Sequence, residues 1–356
     1  MTGMKIAAAK NQAGHWLVTF SHNLILVVWA LVLNFCVTEY RVHHWSWMRW
    51  DLMFITGLLA FIIALSLAQT IPGRMTQTLE RLSKRGVFEF TNGSLADFRS
   101  RLERRARLFG KIGAAFVALV ILAAFLAAFR DFIVEAIPLT LLEFFLGGVA
   151  GYFIGQMVAY GTLGQLARSA GVRIAPKPGH IDRAAGLKPI GDYYFFQAMI
   201  VAIPCVYIAV WWFIIPLLPH YGPWRDPYLG LLGVVIVFEI LSFIVPMLSF
   251  HAIMQEEKRS CQSEADELSR NLVELESRIL HAAGPKDVSD LQKQLDIQRE
   301  EYWEIENMPT WPVDVSTRRK FTVNNLLLFL PFFTEITRLS TLWEKFLKAV
   351  VEFLES

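Results

Sequence analysis

The sequence predicts an all-α membrane protein with six transmembrane helices, a cytoplasmic helical hairpin and an interfacial C-terminal helix. Three observations carry this reading. Hydrophobic residues make up 54% of the 356 and charged residues only 19%, and mean hydropathy is +0.40, more apolar than a water-facing surface allows. The apolar residues come in blocks of about 20, the length a helix needs to cross hydrocarbon while bonding its own backbone. Lys and Arg collect in alternate loops. Together these exclude a soluble globular enzyme, a disordered chain and a disulfide scaffold. The net charge of +2 hides a segregation of basic loops from apolar spans, so it makes no case for nucleic acid.

Six stretches qualify as spans: Trp16–Val37, Leu52–Ile71, Ile112–Phe129, Leu139–Leu163, Tyr193–Leu218 and Leu229–Met254. The first follows Lys5 and Lys10 and ends without a small-residue cleavage site, so it reads as a retained span and not a signal peptide. Arg74–Lys111 holds ten Lys/Arg against four acids, and Ala167–Asp192 holds five against two. The loops on the other side carry only Arg41 and Arg49, Arg130, and Arg225. The bias places both termini in the cytoplasm. Trp45, Trp47, Trp50 and Trp224 sit in the outer loops as interfacial anchors.

The cytoplasmic parts follow from local pattern. In Arg74–Lys111 two short helices are expected, separated by the turn signal Thr91-Asn92-Gly93, with Ser94 and Asp97 opening the second as a capping box. On that helix Leu95, Phe98, Leu102 and Phe109 share a face, while Arg99, Arg101, Arg104, Arg105 and Arg107 crowd the rest. A basic amphipathic helix between two spans reads as a membrane-surface element holding anionic lipid. After the sixth span, Leu268, Leu272, Leu275 and Ile279 form a heptad seam. Gly284-Pro285 breaks it, and Val288, Leu291, Leu295 and Tyr302 resume it. This predicts a coiled-coil-like hairpin whose first arm, Gln255–Ala283, reaches ~43 Å at 1.5 Å per residue. It packs on the membrane domain or recruits a cytoplasmic partner.

In the tail, Phe321–Phe333 is uncharged but too short to span, so an interfacial or partly re-entrant segment is expected. Ile336 to Phe353 then carries one apolar face for the membrane surface. The chain thus divides into 1–72, 73–111, 112–254 with its loop 166–192, 255–306 and 307–356.

Motifs of soluble enzymes are missing: no P-loop, dinucleotide fingerprint or zinc-protease signature occurs. Cys36, Cys205 and Cys261 have no ligand spacing, and adjacent His43 and His44 diverge on any regular element, so neither a metal nor a cofactor is expected. Three features remain. Glu239 lies near the middle of the sixth span and Glu143 near the outer end of the fourth. An intramembrane acid needs a partner or a watery cavity, so with Gln156 and His251 they are candidates for an ion path, or glue between helices. Gly147, Gly151 and Gly155 recur every four residues, a flat face for close helix packing within the chain or in a homo-oligomer. The loop Gly179–Asp192 is dense in polar groups, and His180, Asp182 and Arg183 there could bind a ligand or dock the hairpin as a structured turn.

That loop, with Trp311-Pro312-Val313-Asp314 and Leu330-Pro331, resembles a loosely defined group of uncharacterised prokaryotic multi-pass membrane proteins. A His-Pro-Asp triplet is usual there, and this chain carries Ile181 at its middle position. The resemblance implies a bacterial inner-membrane setting and brings no activity. Three functions follow in order: an oligomeric channel or pore-like effector using Glu239 and controlled by its cytoplasmic helices; a scaffold or sensor recruiting a partner through 255–306; and a lipid-modifying enzyme using His180 and Asp182.

Overall fold

The computed structural model describes residues 52–91, 93–128, 133–218, 222, 225–281 and 285–335. The expected first span, the Trp45–Trp50 cluster, Trp224 and the amphipathic helix from Ile336 to Phe353 lie outside the described residues, as does the side chain of Glu143. The described chain is all-α apart from two three-residue strands. Five of its helices are long and apolar enough to cross a membrane: Ile55–Lys84, Leu95–Ala123, Phe144–Gly161, Lys188–Leu217 and Arg225–Leu280. They correspond to the second through sixth stretches found in the sequence.

In chain order the elements are α1 (Leu52–Ala68), α2 (Ile71–Lys84), β1 (Phe88–Phe90), α3 (Leu95–Ala128), α4 (Ile133–Gly161), α5 (Leu163–Ser169), β2 (Val172–Ile174), α6 (Lys188–Ile214), α7 (Arg225–Ser260), α8 (Gln262–Leu280), α9 (Pro285–Glu306) and α10 (Val315–Leu328). Hydrocarbon is as apolar as leucine, so the spans associate by close packing and hydrogen bonds, not by the hydrophobic effect. Accordingly Phe116 and Val234 stay 66% and 68% exposed. Between α1 and α6, Tyr207 donates to the Met53 carbonyl at 2.7 Å and the Trp211 indole donates to Thr56 at 2.8 Å.

Outside the apolar stretches the hydrophobic effect does apply, and there the two basic loops build a shared core. β1 pairs antiparallel with β2, placing Phe88 opposite Ile174 and Phe90 opposite Val172. Leu79, Leu82, Val87, Phe98, Leu102 and Leu187 are buried beneath this ribbon, each contributing roughly 1.5–3 kcal/mol. The capping box forms: Asp97 accepts from the Ser94 amide at 3.1 Å and Ser94 accepts from the Asp97 amide at 3.2 Å. The helix it opens is not short. It runs 34 residues, from Leu95 into the third span, because nothing between Arg107 and Ile112 breaks it. Arg99, Arg101 and Arg104 are exposed along this extension and Arg105 is half-buried, with its guanidinium over Phe109. They line a stalk below the span, not a separate helix lying in the membrane plane.

α7 passes into α8 through Cys261 with helical bonding kept on both sides. The resulting 56-residue rod is about 84 Å long at 1.5 Å per residue. α9 packs along α8, with Ala265, Leu275, Leu295 and Ile305 buried in the seam and Arg299 paired to Glu276 at 3.0 Å.

The tail departs from the interfacial expectation. Its Asp314 is 2.5 Å from Lys188 at the start of α6. Further along, Phe321 packs on Phe243 with centroids 4.3 Å apart, Leu328 joins Leu232 and Ile236, and Phe332 faces Gly233. Glu335 finally pairs with Arg225 at 3.0 Å. Residues 321–335 therefore lie antiparallel along α7 between Phe243 and Arg225, a stretch of about 27 Å. Counting only the 13 uncharged residues missed this, because Arg318, Arg319 and Lys320 extend the helix at the polar end.

Candidate functional site

Glu239 lies ~21 Å along α7 from Arg225, which sets it near mid-span. It is fully buried, on the side of α7 that faces the tail. Asn324 of α10 donates to Glu239 Oε1 at 3.1 Å. Asn325 of α10 and Cys205 of α6 stand within hydrogen-bonding range of the same carboxyl. The Asn325 amide nitrogen also donates to the Phe321 carbonyl at 3.0 Å, and the Cys205 thiol donates to Val201 at 3.4 Å. Two buried oxygens are left without a hydrogen-bond partner, Glu239 Oε2 and Asn325 Oδ1. An apolar cavity of about 690 Å³ opens on the other flank of α7, between Gly57, Ala64, Met157, Pro204 and Val234, and does not include Glu239.

The other polar residues singled out from the sequence do not join Glu239. His251 is ~18 Å farther along α7, where its Nδ1 lies 2.6 Å from the Thr310 carbonyl and its ring stacks on Trp311 at 4.3 Å. Gln156 is buried on α4 with its Oε1 unpartnered. Glu143 falls in α4, but its side chain is outside the described residues. Gly147, Gly151 and Gly155 all face α3, where side chains added at these positions would strike Ile121, the Gly113 carbonyl and the Phe109 carbonyl. The glycine face is therefore occupied within the chain.

Among the two basic loops, Asp182 is the hub of loop 179–188. Its Oδ1 accepts from the Ala184 and Gly186 amides at 3.0 Å each, and its Oδ2 accepts from Arg85 at 2.5 Å and from the Lys188 amide at 3.4 Å. His180 Nδ1 sits 2.9 Å from Oδ1. Burial pushes the Asp182 carboxyl up, but the Gly186 and Ala184 amides and neighbouring His180 outweigh it and hold the group below its ordinary value. These bonds support left-handed backbone at Arg183 (φ 55°) and Ala185 (φ 51°), a conformation unfavourable for residues with side chains. Arg183 itself is exposed, and Ile181 is 94% exposed. Gly179 (φ 67°) leaves room for the Glu304 carboxylate of α9, so the hairpin docks against this turn. With both oxygens of Asp182 engaged, neither is available as a free acid or base.

Asp314 is the second anchor. It caps α10 by accepting from the Thr317 amide at 2.8 Å and pairs with Lys188. Partial burial pushes its carboxyl up, but the bonds from Lys188 and Thr317 prevail and hold it at about 2.

Reasoning from sequence did not find Arg85, Cys205, Asn324 or Asn325. The Asn pair did leave a signal, two adjacent amides inside an otherwise apolar run. Arg85 left none, since it looks like any other loop cation. Searches against family models, curated proteins and solved structures match nothing to this chain.

Proposed function

We propose that the chain is an ion-translocating membrane protein of channel type in which Glu239 is the ion-binding residue, the tail helix is its gate and the cytoplasmic hairpin is the control element. The observation that carries this is a fully buried mid-span carboxyl sealed by two amides from a separate segment. A carboxyl kept inside hydrocarbon is costly, and such groups are rare outside ion and proton pathways. The glycine face is occupied by α3, so a pore within one chain is favoured over one between chains.

In the proposed topology the basic segments 74–111 and 167–192 face the cytoplasm of a bacterial inner membrane, with anionic lipid at the arginine-rich stalk. Counting Trp16–Val37 from the sequence, the tail makes a seventh crossing. The N-terminus is then cytoplasmic, while Glu335 lies at the outer face beside Arg225, the reverse of the side expected from loop charge for the C-terminus.

The test is ion flux in proteoliposomes of purified protein, wild type beside Glu239→Gln. Flux that the substitution changes at least tenfold, in a variant that elutes as one species, supports the reading. Equal flux in both, or none from the wild type under ion and pH gradients, overturns it. A second reading, a scaffold that recruits a cytoplasmic protein, is favoured by Leu280 and Trp303, which are 84% and 58% exposed on the hairpin. Deleting 262–306 would then abolish recruitment while Glu239→Gln left it intact.

A further inference from the structure

The junction around Glu239 also carries information on which ion it takes, an identification that rests on the reading of Glu239 as the ion-binding residue. Three elements close on this carboxyl. From α6 comes the Cys205 thiol, the one titratable group beside it among the described residues; from α10 come the Asn324 and Asn325 amides; from α7 itself come Ile236 and Phe243. Among the described residues no Lys, Arg or His forms an ion pair with Glu239, so no cation of the described chain neutralises it. Asn324 satisfies Oε1. What remains are Oε2 and Asn325 Oδ1, two acceptors with no donor, on residues only 0% and 7% exposed.

A buried acceptor without a donor is costly, and more so when it is charged. The Asn325 side chain is within hydrogen-bonding range of the carboxyl, so a single hydrogen placed between these two oxygens would satisfy both. A bare hard cation would instead need about six oxygen ligands. The junction has two free, and apolar Leu232, Ile236, Phe243 and Leu328 wall it in.

We infer that the ion is the proton, carried on Glu239 Oε2 and donated in a hydrogen bond to Asn325 Oδ1. On loading, an O–H bond forms at Oε2 with a proton delivered from water on one side of the membrane. On release that bond breaks, the proton passes to water on the other side, and the carboxylate keeps the electron pair. Oε2 has no solvent contact, so each exchange requires α10 to part from α7 at Asn324–Asn325. Glutamine at position 239 imitates the loaded state: its oxygen accepts from Asn324 while its nitrogen donates to Asn325.

Infrared difference spectroscopy on the full chain in liposomes at pH 7 tests this, run beside proton, Na⁺ and K⁺ flux in the same preparation. The expected result is a protonated-carboxyl C=O band that disappears in Glu239→Gln. In Asn325→Ala the band moves to higher frequency, because the acid loses its acceptor; this second variant keeps the test decisive if the first does not fold. Flux should follow the pH gradient and ignore Na⁺ and K⁺. Absence of the band, a band unmoved by Asn325→Ala, or flux driven by an alkali cation overturns the inference. A band that behaves as expected without any flux supports the proton bridge and overturns translocation instead, so the two failures are distinguishable.

Discussion

Replacing Asp182 with alanine tests whether loop 179–188 is a structural clamp or a chemical site. The side chain is 6% exposed. Its removal strips an acceptor from the Ala184 and Gly186 amides, both in buried residues. A buried donor left unpaired costs about 1–3 kcal/mol. Arg85 is a third exposed, so it rehydrates and adds little, and the Lys188 amide at 3.4 Å was weakly held. Two lost amide partners, the first at full cost and the second relieved by inward relaxation, give about 3 kcal/mol. For a chain of this size that lowers the apparent Tm by roughly 4 °C, read by tryptophan fluorescence on heating in detergent. Asp182→Asn keeps an oxygen for the amides and should lose about half as much. The Asp182 carboxyl is held below its ordinary value, so its contribution is complete above the unfolded pKa of about 4 and is lost as pH falls through the folded value. The gap between wild type and Asp182→Ala must therefore narrow in acid. A variant that melts within about 2 °C of wild type, or a gap indifferent to acid, refutes the clamp. Full stability combined with lost function would revive the enzyme.

Further outcomes follow from the same geometry. Gly151→Leu sets a side chain against the Gly113 carbonyl and Val117, and should cost about 3 kcal/mol or more, seen as loss of the monodisperse peak; Gly230→Leu, with nothing within 4 Å, should behave as wild type. In a cysteine-free background, Thr334→Cys, exposed near the end of the described tail, should react with an impermeant maleimide on intact cells, whereas Asp290→Cys on α9 should react only after permeabilisation; labelling of both from one side contradicts the seventh crossing. Asp314→Ala removes the α10 cap, worth about 1 kcal/mol. Because the Asp314 carboxyl is held at about 2, that difference should be complete above pH about 4 and vanish as pH falls through about 2, measured as the Tm gap to wild type.

Five of the six expected spans were legible as long apolar helices because a bilayer makes a coarse demand: about 20 apolar residues per crossing. The hairpin seam was legible for a similar reason, since Leu275 and Leu295 recur at helical spacing and end up buried. The strands were not. Phe88–Phe90 and Val172–Ile174 are three residues each, too short for alternation to register, and each is held only by the other. The tail misled because hydropathy weighs residues singly. Asn324 and Asn325 lower the score of the run, yet in the fold their amide nitrogens donate to Glu239 and to the Phe321 carbonyl. Glu239 was visible as an anomaly on its own helix. Its partners were invisible because they arrive from 85 residues away, and a periodicity carries no information about contacts at that distance.

The route from hairpin to Glu239 has little slack. α7 descends past Glu239 into α8, the chain returns along α9, and residues 307–314 lead back up into α10. That strap is pinned three times. Lys258 holds the Glu306 carbonyl at 2.6 Å, His251 holds Thr310 and stacks on Trp311, and Lys188 holds Asp314. Asn324 then follows about 15 Å up the helix from Asp314. Among the described residues, a force on the hairpin reaches the amides over Glu239 most directly through these pins, the other connections to the bundle being the α7–α8 rod and the turn at Gly179. Releasing the middle pin with His251→Ala should therefore leave flux through Glu239 intact while cutting its response to anything bound at the hairpin. Measuring flux with and without a hairpin-directed binder, in wild type and in His251→Ala, separates these effects. An unchanged response in the variant would mean that the hairpin acts through the α7–α8 rod instead.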